Sequence, residues 1–184
     1  VIDTLQDRKL SLTQRLLVIG LLMDYARRNW DDFSLSSWRS RAELLRKDSS
    51  LSQKLVESKR DSAKFLAENT RVAVTLLRNK IPIYLELEEM GVHYHKDNEG
   101  EEIKGNISYT RYEKARKAFE DYFGDISYFF ENILVNQAFW IKIPDLRSPE
   151  DLWKSYVSLC STYSFIRFMA VISCGISPSR EKLF

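Results

Sequence analysis

Apolar residues recur at helical spacing through SLTQRLLVIGLLMDYARRNW, at Leu12, Leu16, Ile19, Met23 and Ala26, and Leu17 and Leu21 widen the stripe. The helix they predict starts at Ser11, whose spacing to Gln14 is that of a capping box. It ends in Arg27 and Arg28, which complement the negative end of the helix dipole. Between Asp31 and Arg60 the chain turns polar, and two shorter helices are expected, 35–46 and 50–59, on either side of KDSS. A longer helix follows at 62–79, with Phe65, Leu66, Ala73, Leu76 and Leu77 inward, and Pro82 forbids its simple continuation. Ile83, Leu85 and Leu87 then alternate as in a strand, although LELEEM is equally good helix composition. DNEG is a turn signal that would join VHYHK to EEIK as a small β-hairpin near 92–104.

Helical spacing resumes at 108–123, where Tyr112, Ala115, Phe119 and Phe123 form the inward stripe and Gly124 breaks the chain. The next helix, DISYFFENILVNQAFW, runs to about Trp140 and carries Glu131, Asn132 and Asn136 inside an apolar run. SPED is the strongest start signal: Ser148 as N-cap, Pro149 at the first helical position, and Glu150 and Asp151 in the positive first turn. The helix it opens, 149–173, is apolar almost all round and is expected to be buried. The expected fold is therefore all-α, a single domain over 1–184 of seven or eight helices around that buried helix. SPSRE at 177–181 repeats the start signal close to the last residue, Phe184, which reads as part of a longer polypeptide.

Composition agrees with helices: 6 Gly and 4 Pro leave little turn chemistry for many short strands. A net charge of +2 gives no general attraction to nucleic acid or to a membrane. The first 80 residues carry 16 Lys and Arg against 10 Asp and Glu, an imbalance that a solvated surface explains. Residues 86–104 hold seven acids against two lysines and read as an exposed acidic excursion. Cys160 and Cys174 lie fourteen apart on one predicted helix, roughly 21 Å, too far for a disulfide. Both read as small buried hydrophobes, which suits a reducing cytoplasm.

No complete catalytic motif is present. The chain has no Gly-rich phosphate loop, no Gly-x-Ser-x-Gly elbow and no cysteine cluster spacing. His93 and His95 could share a metal from one strand face, but the sequence offers no third ligand at a defined spacing. Catalytic, cofactor-binding and metal-ligating residues are therefore not assigned. The informative polar residues are those in apolar surroundings. Arg167 is the only charge between Lys154 and Arg180, and no acid lies three or four residues from it. A buried guanidinium needs a carboxylate or hydrogen bonds, so its partner must come from another element or a ligand, with Glu131 the first candidate. Asn132 and Asn136, one turn apart, could fix how two helices meet. The candidate buried polar network is thus Glu131, Asn132, Asn136, Tyr163 and Arg167.

Three blocks carry a family resemblance. SLTQRLLVIGLLMDYARR, FFENILVNQAFWIKIP and SYVSLCSTYSFIRFMAVIS resemble, in order, three helical segments of the flagellin lysine-N-methylase family. The second matches that family's E-N-Y-L-x-N helix with Ile133 in the tyrosine position, and the third sets Tyr163 and Arg167 in its Y-x-x-x-R places. The resemblance implies methyl transfer from S-adenosylmethionine to surface lysines of flagellin before export. It also implies a cysteine-rich N-terminal half suited to an iron–sulfur cluster, which these residues lack, so this chain resembles the C-terminal helical portion. The competing reading is a non-catalytic helical protein–protein interaction module.

Overall fold

The computed structural model describes residues 1–48, 50, 69, 70, 72, 93–97, 100–104, 109–145 and 147–175. Among them are six helices and one two-stranded hairpin. In chain order these are α1 (Ile2–Leu5), α2 (Leu12–Arg28), α3 (Leu35–Arg46), β1 (His93–Asp97), β2 (Gly100–Lys104), α4 (Tyr109–Phe123), α5 (Ser127–Trp140) and α6 (Pro149–Gly175). The architecture is helical. The helix expected at 62–79 lies outside the described residues except for Asn69, Thr70 and Val72, which are helical. Residues 51–59, the 81–91 stretch and the restart at 177–181 also lie outside them, so the expected seven or eight helices fall partly on residues that are not described. β1 and β2 pair antiparallel, with His93 opposite Lys104 and His95 opposite Glu102.

The chain divides into two compact units. One comprises Val1–Arg60 and Ile126–Tyr163, the other Asp61–Asp125 and Ser164–Phe184, so α6 contributes to both.

In the first unit α2 is the central element, packed against α1 and α3, and α1 also meets α5. Its start is the expected capping box: Gln14 N–H donates to Ser11 Oγ at 3.3 Å, and Ser11 N–H donates to Gln14 Oε1 at 2.8 Å. Leu12, Leu16, Ile19, Met23 and Ala26 are buried as expected. The stripe widens on the other side, however. Val18, Leu22 and Arg15 are buried, whereas Leu17 and Leu21 are only half-buried. Gly20 matters here because the Tyr156 ring of α6 lies where its Cβ would be.

Ser34 opens α3 by accepting from Ser37 N–H at 3.2 Å. Ser148 opens α6, its Oγ accepting from Asp151 N–H at 3.0 Å while the hydroxyl donates to the Asp151 carboxylate at 2.9 Å. At the end of α5, Lys142 adopts φ 53°. Its N–H reaches Phe139 O at 3.2 Å and Ile143 N–H reaches Ala138 O at 2.9 Å, the two bonds of a Schellman close made without glycine.

The expectation of a helix buried all round fails for α6. Leu152, Ser155 and Leu159 are buried along one face of its first half, but Lys154, Val157, Ser158 and Ser161 are exposed along another. Serines at those positions let that face meet water. Its last turns, through Phe168, Val171, Ile172 and Cys174, are enclosed. By length and composition alone α6 could cross a membrane, a test that a core helix passes equally.

In the second unit α4 buries Ala115 and Phe119, with Tyr112 and Phe123 half-buried. Tyr112 stacks on Phe168 at 6.0 Å between ring centroids. Asn69 and Ser164 exchange hydrogen bonds at 3.0 and 3.2 Å. Gly124, at φ +63°, closes α4 through its N–H to Glu120 O at 2.9 Å.

Candidate functional site

Helical geometry sorts the side chains of α5 at about 100° per residue. Phe130, Leu134 and Ala138 fill one sector and are buried; Glu131 falls in the same sector and is buried with them. Its carboxylate is met by two arginines from the start of the chain. Arg15 Nη1 donates to Oε2 at 2.7 Å, and Arg8 donates from Nη2 to Oε1 at 3.2 Å and from Nε to Oε2 at 3.4 Å. The side chains of Arg15 and Glu131 are only 3% and 4% exposed, whereas Arg8 approaches from solvent.

Arg15 is also bound to the turn between α1 and α2. Its Nη1 donates to Leu5 O and its Nε to Leu10 O, both at 2.8 Å. One guanidinium therefore gathers the end of α1, the turn and α5. Burial pushes the Glu131 carboxyl up, but hydrogen bonds and charge from Arg8 and Arg15 outweigh it and hold it below its ordinary value. At the rim of the same turn Asp7 accepts from Arg46 Nε of α3 at 2.7 Å.

This arrangement corrects the expected pairing. Glu131 takes Arg8 and Arg15, not Arg167. Arg167 is 37% exposed along its side chain and donates to Glu120 Oε1 at 3.2 Å. Glu120 also binds Arg116, which grips Glu113 as well, so Arg167 joins a chain of charges on α4. The guanidinium that is buried is Arg15. Its sequence signal was available: in helical projection Arg15 falls between Leu22 and Ala26, inside the buried sector of α2.

The asparagines are corrected more sharply. Asn132 and Asn136 are exposed and fall in the sector opposite Leu134, together with Tyr128, Phe139 and Trp140. They do not join a buried network. Tyr163 meets Phe130 edge-on, 5.8 Å between centroids at 87°. The polar link between α5 and α6 is Gln137, missed in the sequence, whose amide donates to Thr162 Oγ1 at 2.6 Å and to Ser158 O at 3.4 Å.

Cys174 is buried as expected and Cys160 half-buried, and neither is in a disulfide. Burial pushes the Cys160 thiol up, partly offset by a hydrogen bond with Tyr156, whose own hydroxyl burial also pushes up. No three His, Cys, Asp or Glu side chains gather as metal donors among the described residues. Arg27 lies over the Trp153 ring at 5.1 Å from its centroid, fixing the end of α2 against α6.

The family model for the FliB lysine N-methylase C-terminal domain matches residues 1–181. The chain belongs to that family. The resemblance read from its three helical blocks is therefore correct, and the role of this FliB C-terminal domain is a lysine-methylase-related one. No curated protein and no solved structure matches the chain.

The two groups implied by the resemblance can be tested against these side chains. An iron–sulfur cluster does not fit: the only cysteines sit fourteen residues apart on α6, roughly 21 Å, and cannot ligate one cluster. For S-adenosylmethionine, the buried carboxylate among the described residues is Glu131, and both of its oxygens are committed to arginines. It does not fit the place of a partner for the ribose hydroxyls or the sulfonium.

Proposed function

We propose that this FliB C-terminal domain is the substrate-recognising and scaffolding part of an S-adenosylmethionine-dependent protein-lysine N-methyltransferase that acts on flagellin in the cytoplasm before export. The observation that carries the reading is the family match over residues 1–181. Methyl transfer needs the attacking lysine amine neutral, by desolvation or by a base. Glu131 is held ionised by Arg8 and Arg15 and is not free to take a proton from an incoming ammonium. The domain's share is accordingly to hold the substrate, and the methyl donor belongs to the rest of the enzyme.

A second reading, an interaction module with no part in methylation, is favoured by the exposed aromatic residues of α5. Calorimetric titration of the purified domain with monomeric flagellin, and with an unrelated helical protein, separates the two. Saturable binding at micromolar or tighter affinity to flagellin alone supports the proposal. Absence of heat with flagellin overturns it. Titration with S-adenosylmethionine supplies the second arm: binding of the donor by this domain alone would overturn the assignment of its share to recognition.

A further inference from the structure

Two guanidinium groups converge on Glu131, although one neutralises it. Arg15 makes the close pair, at 2.7 Å and almost wholly enclosed. Arg8 comes in addition, 71% exposed along its side chain and at the longer distances of 3.2 and 3.4 Å. An ion pair as open as that adds little to stability, so holding the fold does not account for the second arginine.

A guanidinium carries five N–H donors and no acceptor. Arg15 uses Nε on Leu10 O, and Nη1 on Leu5 O and Glu131 Oε2. Its Nη2 makes no hydrogen bond among the described residues. Nor is it one of the enclosed unpaired atoms among them, which are Trp38 Nε1 and Gln137 Oε1. Nη2 therefore borders on solvent with both of its donors unused. Arg8 uses Nε and Nη2 and keeps Nη1. Both arginines reach the same oxygen, Glu131 Oε2, so the unused donors belong to neighbouring forks.

The charges around them leave a surplus. Arg8, Arg15 and Glu131 sum to one positive charge, and Lys9, exposed next to Arg8 in the chain, adds another. Asp7, the carboxylate of the same turn, is already taken by Arg46 at 2.7 Å and by the Lys9 N–H at 3.3 Å. Like charges held this close repel, and a second anion would make the row alternate in sign. Guanidinium forks match a planar group with two oxygens, and a surplus of one charge in the triad matches a monoanion. A carboxylate meets both conditions.

We infer that the unused donors of Arg15 and Arg8, flanked by Lys9, form a binding site for a carboxylate from outside the chain. For its source this inference rests on the proposed function, the carboxylate being that of an acidic side chain of flagellin. A small free carboxylate is the alternative source, and the test separates the two.

The whole chain is prepared with isotope-labelled arginine, and sodium acetate is titrated into it against sodium chloride at equal ionic strength. The readout is the Arg15 Nε–H resonance, which its bond to Leu10 O protects from exchange. Monomeric flagellin is titrated in parallel by calorimetry, and thermal midpoints are measured alongside. The variants are Arg8→Gln, Arg8→Lys and, as a control that removes one charge from exposed α3, Arg39→Gln. The expected result is a saturable acetate shift with half-saturation in the millimolar range, absent with chloride and lost in Arg8→Gln. Flagellin affinity falls about threefold to tenfold in Arg8→Gln and is only partly restored in Arg8→Lys, which returns the charge without the fork. The control keeps wild-type affinity, and midpoints stay within about 2 °C. Absence of the acetate shift, or the same shift in Arg8→Gln, overturns the inference and leaves the proposed function standing. An affinity loss that tracks a lowered midpoint overturns it too, because Arg8 is then structural. An acetate site with unchanged flagellin affinity in Arg8→Gln supports the site, assigns it to a free carboxylate and removes flagellin as the source. Failure of the wild-type chain to bind flagellin overturns the proposed function, while the acetate titration still decides the site.

Discussion

Replacing Glu131 by glutamine keeps the shape of the side chain and removes its charge. Arg15 then stays in a site where its side chain is 3% exposed, with Leu5 O and Leu10 O still accepting but no counterion. Breaking a buried ion pair on one side costs about 3–5 kcal/mol. Because two carbonyls remain bound to Arg15, the lower end applies, about 3 kcal/mol. Against a typical total of about 5–15 kcal/mol this is a large fraction. For a chain of this length it corresponds to a fall in thermal midpoint of roughly 6–12 °C.

The assay reports on the right unit without further labelling. All four tryptophans, Trp30, Trp38, Trp140 and Trp153, belong to the unit that contains Glu131. Urea unfolding followed by tryptophan fluorescence therefore measures that unit. A companion variant, Arg15→Met with Glu131→Leu, removes both charges together and is expected to lose less than Glu131→Gln, about 1–2 kcal/mol, because an apolar pair replaces the buried ion pair at little cost while Leu5 O and Leu10 O lose their donor. A Glu131→Gln variant within about 1 kcal/mol of wild type, at unchanged denaturant slope, would refute the reasoning that Arg15 depends on this carboxylate.

Other outcomes follow from the same geometry. Glu131 and Asp7 are both held below their ordinary pKa, for Asp7 through Arg46 and the Lys9 N–H against the opposing effect of burial. Their contribution is therefore complete above about pH 5 and is lost as pH falls from about 4 through the folded values; fluorescence-detected stability against pH should be flat near neutrality and drop there, less steeply in Glu131→Gln. Gly20→Ala drives a methyl into the Tyr156 ring and should lose about 1–2 kcal/mol despite its better helix propensity, a loss that disappears in a Tyr156→Leu background. Lys142→Gly relieves a left-handed residue and should raise stability by about 0.5–1 kcal/mol in the same urea assay. Ser148→Ala removes the cap of α6 and should cost about 1 kcal/mol, readable as a shift in urea midpoint.

Local signals in the sequence were reliable because their physics is local. The capping box at Ser11, the cap at Ser148 and the span of α3 at 35–46 all involve groups within a few residues of each other. The pairing of charges was not legible, because Glu131 finds Arg15 across 116 positions and nothing in either segment names the other. The exposure of the asparagines is hidden in the sequence for a related reason. Apolar residues occur on both sides of α5, so the run hides which sector is covered, and Asn132 looks as enclosed as Glu131 until the packing of Leu134 is known. The exposure of Arg167 had the same origin: an apolar neighbourhood along the chain is not an apolar neighbourhood in space.

The long reach between Arg15 and Glu131 also has a meaning in time. Chains grow at about 5–20 residues per second, so roughly 6–23 s separate the synthesis of the two residues. During that interval the inner face of α2 exists without α5 or α6 to cover it, and Arg15 has only carbonyls for company. A nascent chain stalled before residue 126 should thus present Val18, Ile19 and Leu22 to any holding chaperone, and release of that chaperone should coincide with the emergence of α5 rather than with the completion of α2.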